Sequence, residues 1–170
     1  DLTVTASALQ GNTQQGFLDL IQPVRLEQQD GAINAGTTRW NLAEQRLRSI
    51  APFQGKRQDA TAMGNGFVID EAATTVIIPK ACQLTQPGES LKAHRCSWNW
   101  ATNRVVADGD VVLRRQDPDQ ETRAPRMEGQ LGSSEGVRFG STGQRVQSSI
   151  RFRPDQPRST PPSSRPRVSF

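Results

Sequence analysis

The chain has 170 residues, a formal net charge of +4 and 34% hydrophobic residues, with six Phe, three Trp and no Tyr. Such a length holds one domain, or one domain with a tail, and the low apolar fraction favours a thin, elongated β structure over a compact globule. The Arg-rich balance, with an isoelectric point of about 9.8, favours anionic partners such as phosphorylated lipid; so few aromatics suit base stacking poorly, and nucleic acid is not an expected partner.

From the N-terminus, Leu2-Thr3-Val4-Thr5-Ala6 alternates with the period of a half-buried strand. Residues 8–16 are rich in Gln, Asn and Gly and predict a loop or weak strand. Residues 17–21 are apolar, and Pro23 is expected to confine that run to an edge or a strand end. Residues 24–27 alternate again before the turn signal Asp30-Gly31. Residues 40–50 (WNLAEQRLRSI) are the best helix candidate, yet Leu42, Leu47 and Ile50 leave the helical stripe incomplete. Strand is favoured for residues 39–43, with helix competing beyond them. Residues 56–66 are polar and predict a loop.

Residues 67–70 and 75–79 predict two strands joined at Glu71-Ala72-Ala73. The densest β signal follows in residues 90–115, read as extended segments at 91–100, 104–107 and 110–115. Thr102-Asn103 and Asp108-Gly109 separate them, since Asn, Asp and Gly tolerate positive φ. Residues 116–121 predict a charged loop, and short strands continue at 126–131, 136–139, 144–148 and 150–153. Residues 154–170 carry five prolines among Arg and Ser and predict an extended or disordered tail. The fold class is therefore all-β, a domain over residues 1–153 followed by a Pro/Arg/Ser-rich tail over 154–170.

No catalytic constellation stands out, and neither an enzyme nor a cofactor is expected. The single histidine, His94, lies near Cys96 without any CxxC spacing, so no metal site is expected. Gly64-Asn65-Gly66-Phe67-Val68-Ile69-Asp70 is similar to the first strand of a trypsin-like protease, but neither a His soon after it nor a nucleophilic Ser follows. Cys82 and Cys96 are compatible with a disulfide or with two buried thiols; the exported look of the chain favours the disulfide. That look rests on an opening at Asp1-Leu2 without Met, read as a mature or truncated ectodomain whose anchor has been cut away.

If alternation runs through these strands, Ile69, Ile78, Trp98, Trp100, Val111, Leu113, Phe139, Ile150 and Phe152 share one inner face. That face is either a self-filled core or a groove for a ligand's hydrocarbon chains, with Arg and Lys at the rim for an anionic head.

Several motifs, taken in order, resemble the lipopolysaccharide-transport proteins of the LptC and LptA (OstA-like) group. Leu91-Lys92-Ala93 is similar to their Leu-x-Ala strand, and Val105-Val106-Ala107-Asp108-Gly109-Asp110-Val111 to their Val-x-Ala-x-Gly-x-Val pair. Upstream, residues 26–31 through Arg39-Trp40-Asn41-Leu42-Ala43 resemble the LptC theme of strand, Gly turn and Trp-x-Leu-x-Ala; downstream, residues 129–152 look like further rungs. The likeness spans residues 17–153 and is nearest a divergent, cyanobacterial-type LptC periplasmic domain. Both cysteines, Trp98 with Trp100, residues 54–65 and the Pro-rich end depart from the pattern.

The resemblance implies a twisted, open β-jellyroll that cradles the acyl chains of lipopolysaccharide or a related glycolipid and catalyses nothing. It implies the periplasm as location, an anchor in the inner membrane through a segment absent from this chain, and edge-strand pairing with two partners. These are an LptA-like bridge protein and an LptB/LptF/LptG-type inner-membrane transporter. A competing reading from another class is a structural subunit of a surface filament, of pilin-like or donor-strand type, in which residues 2–6 insert into a neighbour.

Overall fold

The structure, a computed structural model, describes residues 2–12, 14–28, 30–116, 119–130, 137–140 and 145–151. These residues form one antiparallel sheet of 14 strands with no helix. In chain order they are β1 (Leu2–Asn12), β2 (Phe17–Gln28), β3 (Gly31–Ala35), β4 (Thr38–Asn41), β5 (Arg46–Arg57), β6 (Ala60–Asp70) and β7 (Thr75–Ile78). There follow β8 (Cys82–Gln86), β9 (Glu89–Ala93), β10 (Arg95–Asn99), β11 (Arg104–Gln116), β12 (Asp119–Gln130), β13 (Arg138–Phe139) and β14 (Gln147–Arg151).

The sheet is folded over on itself along a line of β-bulges. Three long hairpins, β1/β2, β5/β6 and β11/β12, each shift register once near the middle: between Ala6 and Ala8, between Ser49 and Pro52, and between Asp108 and Val111. Short strands pair on either side of the line. β4, β7, β10 and β13 extend one layer; β3, β8, β9 and β14 extend the other. A bulge bends its strand and strengthens the local twist, so each long strand serves both layers. Buried side chains of the two layers form a single cluster, in which the Phe53 and Phe67 rings meet edge to face at 5.1 Å.

Prolines mark the fold line. Pro23 lies opposite Ser7 in the β1/β2 shift, Pro52 and Pro125 flank the other two shifts, and Pro79 follows the last residue of β7. A residue without N–H is tolerated where the ladder is already interrupted. This corrects the expectation that Pro23 confines the run to an edge or a strand end, since β2 runs through it and is paired on both sides. Glycines complete two of the bulges. Gly109 has φ of +77°, and a Cβ there would lie 2.7 Å from His94 Nδ1; Gly66 has φ of +82°, and a Cβ would lie 2.9 Å from the Ser49 carbonyl. A side chain at Gly109 would meet the His94 side chain, and one at Gly66 the Ser49–Ile50 backbone.

Other elements also differ from expectation. Asp108-Gly109 is a bulge within one continuous strand, β11, rather than a turn between two. Residues 91–100 break at His94 into β9 and β10, which lie end to end along β11. The competing helix beyond residue 43 does not form: after a turn at 42–45, β5 alternates with Leu47 and Ser49 inward. Residues 56–66 are no loop but the end of β5, the turn and most of β6, with Lys56↔Thr61 and Arg57↔Ala60 paired across it. β1 extends to Asn12, so residues 8–12 of the Gln/Gly-rich stretch are the strand alternative and 14–16 a turn, and β12 begins at Asp119 inside the expected charged loop. β14 is a single strand over Gln147–Arg151. The expected domain boundary and tail, beyond residue 151, lie outside the described residues.

The Cys82–Cys96 disulfide is present and ties β8 in one layer to β10 in the other. Both sulfurs' residues are buried at the fold line, where the layers converge.

Candidate functional site

Away from the fold line the two layers part, and what fills the gap depends on the size of the side chains. In one layer a row of neighbouring residues runs Leu26, Ile33, Gly55, Ala62, Leu84, Leu91 and Leu113 across β2, β3, β5, β6, β8, β9 and β11. In the other, a parallel row runs Trp40, Leu47, Ile69, Val76, Trp98 and Val105 across β4, β5, β6, β7, β10 and β11. Leu84, Leu91, Leu113 and Val105 pack in the buried core cluster and do not line the cavity. Where Gly55 and Ala62 stand, with Ala60 and Gly31 beyond them, a cavity of about 390 Å³ remains.

Leu26, Ile33, Phe53, Leu47, Ile69, Val76 and Trp98 form its apolar walls. The β5/β6 hairpin and the turns after β6 and β10 form its mouth, which carries Asp30, Lys56, Arg57, Glu71, Thr74 and Trp100. Arg57 crosses that mouth. Its Nη1 donates to the Trp100 carbonyl of the opposite layer at 2.9 Å, and its Nε donates to Asp30 Oδ2 at 3.2 Å. The indole Nε1 atoms of Trp98 and Trp40 are buried without a partner among the described residues. A buried N–H without an acceptor is costly, so a ligand oxygen beside Trp98 would be stabilising.

A second cleft, of about 520 Å³, lies at the opposite end and is polar. Its charged groups neutralise one another, with Arg115 on Glu89 at 3.0 Å and Arg114 on Glu121 at 2.7 Å. Carboxylates held below their usual range lie on the outer face rather than at the mouth. Arg39 hydrogen-bonds Asp19; the Ala73 N–H and then Arg46 hold Asp70; Arg114 and then Arg123 hold Glu121.

Of the nine inner-face residues expected from alternation, Ile69, Trp98 and Trp100 line the cavity. Ile78, Val111 and Leu113 are inward but belong to the solid part, fully surrounded by other side chains. Phe139 packs on the core from β13. Ile150 is 48% exposed on β14, a strand exposed along its whole length, and so does not share the inner face. Phe152 lies outside the described residues. Sequence reasoning missed Gly55, Ala60 and Ala62 because a search for large apolar residues passes over small ones. Their signal was available: Gly55, Ala62 and Gly64 occupy inward positions of a strand pair whose outward partners are polar or long.

No model of a protein family matches the sequence, and no curated protein matches it either. Among solved structures, the fold is similar to that of LptH from Pseudomonas aeruginosa, described as the LptA-homologous periplasmic component of the conserved lipopolysaccharide transport device. The superposition has a TM-score of 0.57 and 12% identity, and covers 89% of this chain and 96% of LptH. The chain therefore carries the LptA-like, OstA-type β-jellyroll fold expected from its motifs.

Proposed function

We propose that this protein is a periplasmic component of lipopolysaccharide transport that shields glycolipid acyl chains between its two β layers. The observation that carries the reading is the apolar cavity, open at a charged mouth, within a jellyroll of the LptH type. Apolar walls with a few polar groups at the entrance are what an amphiphile needs. In this reading the chain receives glycolipid from an inner-membrane ABC transporter and passes it to a periplasmic bridge, as an LptC-like relay that pairs its edge strands with both neighbours.

The test is a photo-crosslinking residue placed at Ile69 or Trp98 in cells exporting glycolipid. Adducts with lipopolysaccharide at these wall positions, and none at the solid-core position Val111, are expected. A folded protein that gives no adduct at either wall position defeats the proposal.

A further inference from the structure

The cavity does not run the length of the roll. Its walls end at Trp98 in one layer and Ala62 in the other. The next residues along the two rows, Val105 and Leu84, belong to the buried core and do not line it. Towards the fold line it ends at Phe53, whose ring rests on the fully buried Phe67. Its lining runs from Leu2 and Leu26 of β1 and β2 to Trp98, with a mouth at the β5/β6 hairpin. Its volume of about 390 Å³ lies near the lower end of the roughly 300–1,000 Å³ typical of small-ligand sites. Such a chamber suits one flexible hydrocarbon chain and not a bundle of several.

The mouth carries two cations, Lys56 and Arg57, and two carboxylates, Asp30 and Glu71, of which Asp30 accepts from the Arg57 Nε. Lys56 and Arg57 are consecutive on the hairpin, and the Arg57 guanidinium spends one donor on a neutral carbonyl, that of Trp100. A phosphate or carboxylate at the mouth would be the stronger acceptor, because charge-assisted hydrogen bonds are roughly twice as strong as neutral ones and Arg binds such groups bidentately. Exchanging the carbonyl for an anion would also release the Arg57–Trp100 hydrogen bond, which spans the two layers.

We infer that the chamber is a single-chain site, in which one hydrocarbon chain is held under Arg57 and its anionic head takes the place of the Trp100 carbonyl. The inference deepens the proposed carrier function and rests on the same cavity. Its ligand chemistry, one chain with one anionic head, is supplied equally by a free single-chain lipid or by one arm of a phosphorylated glycolipid.

The experiment uses the oxidised full chain and a fluorescent fatty acid as probe, displaced by dodecyl phosphate, by dodecanol and by purified lipopolysaccharide. One probe per chain is expected, with dodecyl phosphate displacing it at least about tenfold better than dodecanol, the equivalent of one charge-assisted bond. Arg57→Gln should erase that ratio while dodecanol still competes, and Arg57→Lys should restore part of it. Ala62→Phe should abolish binding of both; Ala60→Leu serves in its place if thermal melts show the Phe variant unfolded.

Equal displacement by phosphate and alcohol, a ratio unchanged in Arg57→Gln, or several probes per chain would each overturn the inference. Binding of lipopolysaccharide with no single-chain ligand bound overturns it while leaving the carrier function standing. Arg57-dependent binding of dodecyl phosphate that lipopolysaccharide cannot displace supports the single-chain site and removes the glycolipid.

Discussion

The row that begins at Leu26 is one continuous line of neighbouring residues, yet its two halves do opposite things. On β8, β9 and β11 it presents Leu84, Leu91 and Leu113, and the layers close on a dry, solid core. On β5 and β6 it presents Gly55 and Ala62, and a chamber remains. The strand pairing continues across both halves, and side-chain volume changes between them. Stability and binding are thus assigned to different halves of one sheet, and the solid half supplies the packing energy that the hollow half forgoes.

The largest expected effect breaks the solid half outright. Val111→Asp places a charge in a fully buried site beside Leu113 and Ala107, at a cost of several kcal/mol, and should abolish the cooperative transition in urea. A cooperative transition with near-native midpoint would show that the site is wetter than described. A finer contrast comes from Leu91→Ala and Ile69→Ala. Truncations of this kind cost about 2–5 kcal/mol; Leu91, surrounded on all sides, should fall near the top of that range and Ile69, already facing a void, near the bottom. Equal losses in chemical denaturation would erase the distinction between the halves.

Smaller still is the effect of the disulfide. Cys82 and Cys96 are 14 positions apart, so replacing both with Ser should cost up to about 3 kcal/mol, the chain-entropy value for a loop of roughly 15 residues. Guanidinium curves for the two proteins measure it directly. The smallest effect lies on the outer face. Folding lowers the Asp70 carboxyl through the Ala73 N–H and Arg46, so its contribution is present above the ordinary carboxylate range and is lost as pH falls through the lowered value. Asp70→Asn should therefore lower stability at pH 7 and shrink the difference between pH 7 and pH 3. A variant whose acid sensitivity equals the parent's would contradict this.

Much of this molecule is readable from its residue order. The alternation of residues 2–6, 67–70, 75–79 and 104–115 marks inward positions that the structure keeps, because a period of two depends only on strand geometry. The fold line was harder to see. Pro23 reads as a strand terminator when taken alone; only the partner strand shows that it stands opposite Ser7 in a register shift. The helix-favouring segment at 42–50 is overridden by long-range pairing, with Leu47 held between Trp40 and Ile69 in neighbouring strands. The chamber was the least visible part, since a cavity is defined by the side chains that are missing from it. Gly55 and Ala62 look unremarkable until they are seen facing Leu47 and Ile69 across the gap.

The disulfide has a mechanical side. It lies where the layers converge, while the Arg57–Trp100 hydrogen bond joins them at the opposite margin. Two plates riveted along one margin and clasped along the other are held on both sides of the gap. Along β5, Arg57 stands at the end remote from the Ser49/Pro52 register shift, so rivet and clasp grip opposite margins. Opening the mouth therefore means exchanging the Arg57–Trp100 hydrogen bond, and it leaves the covalent tie intact.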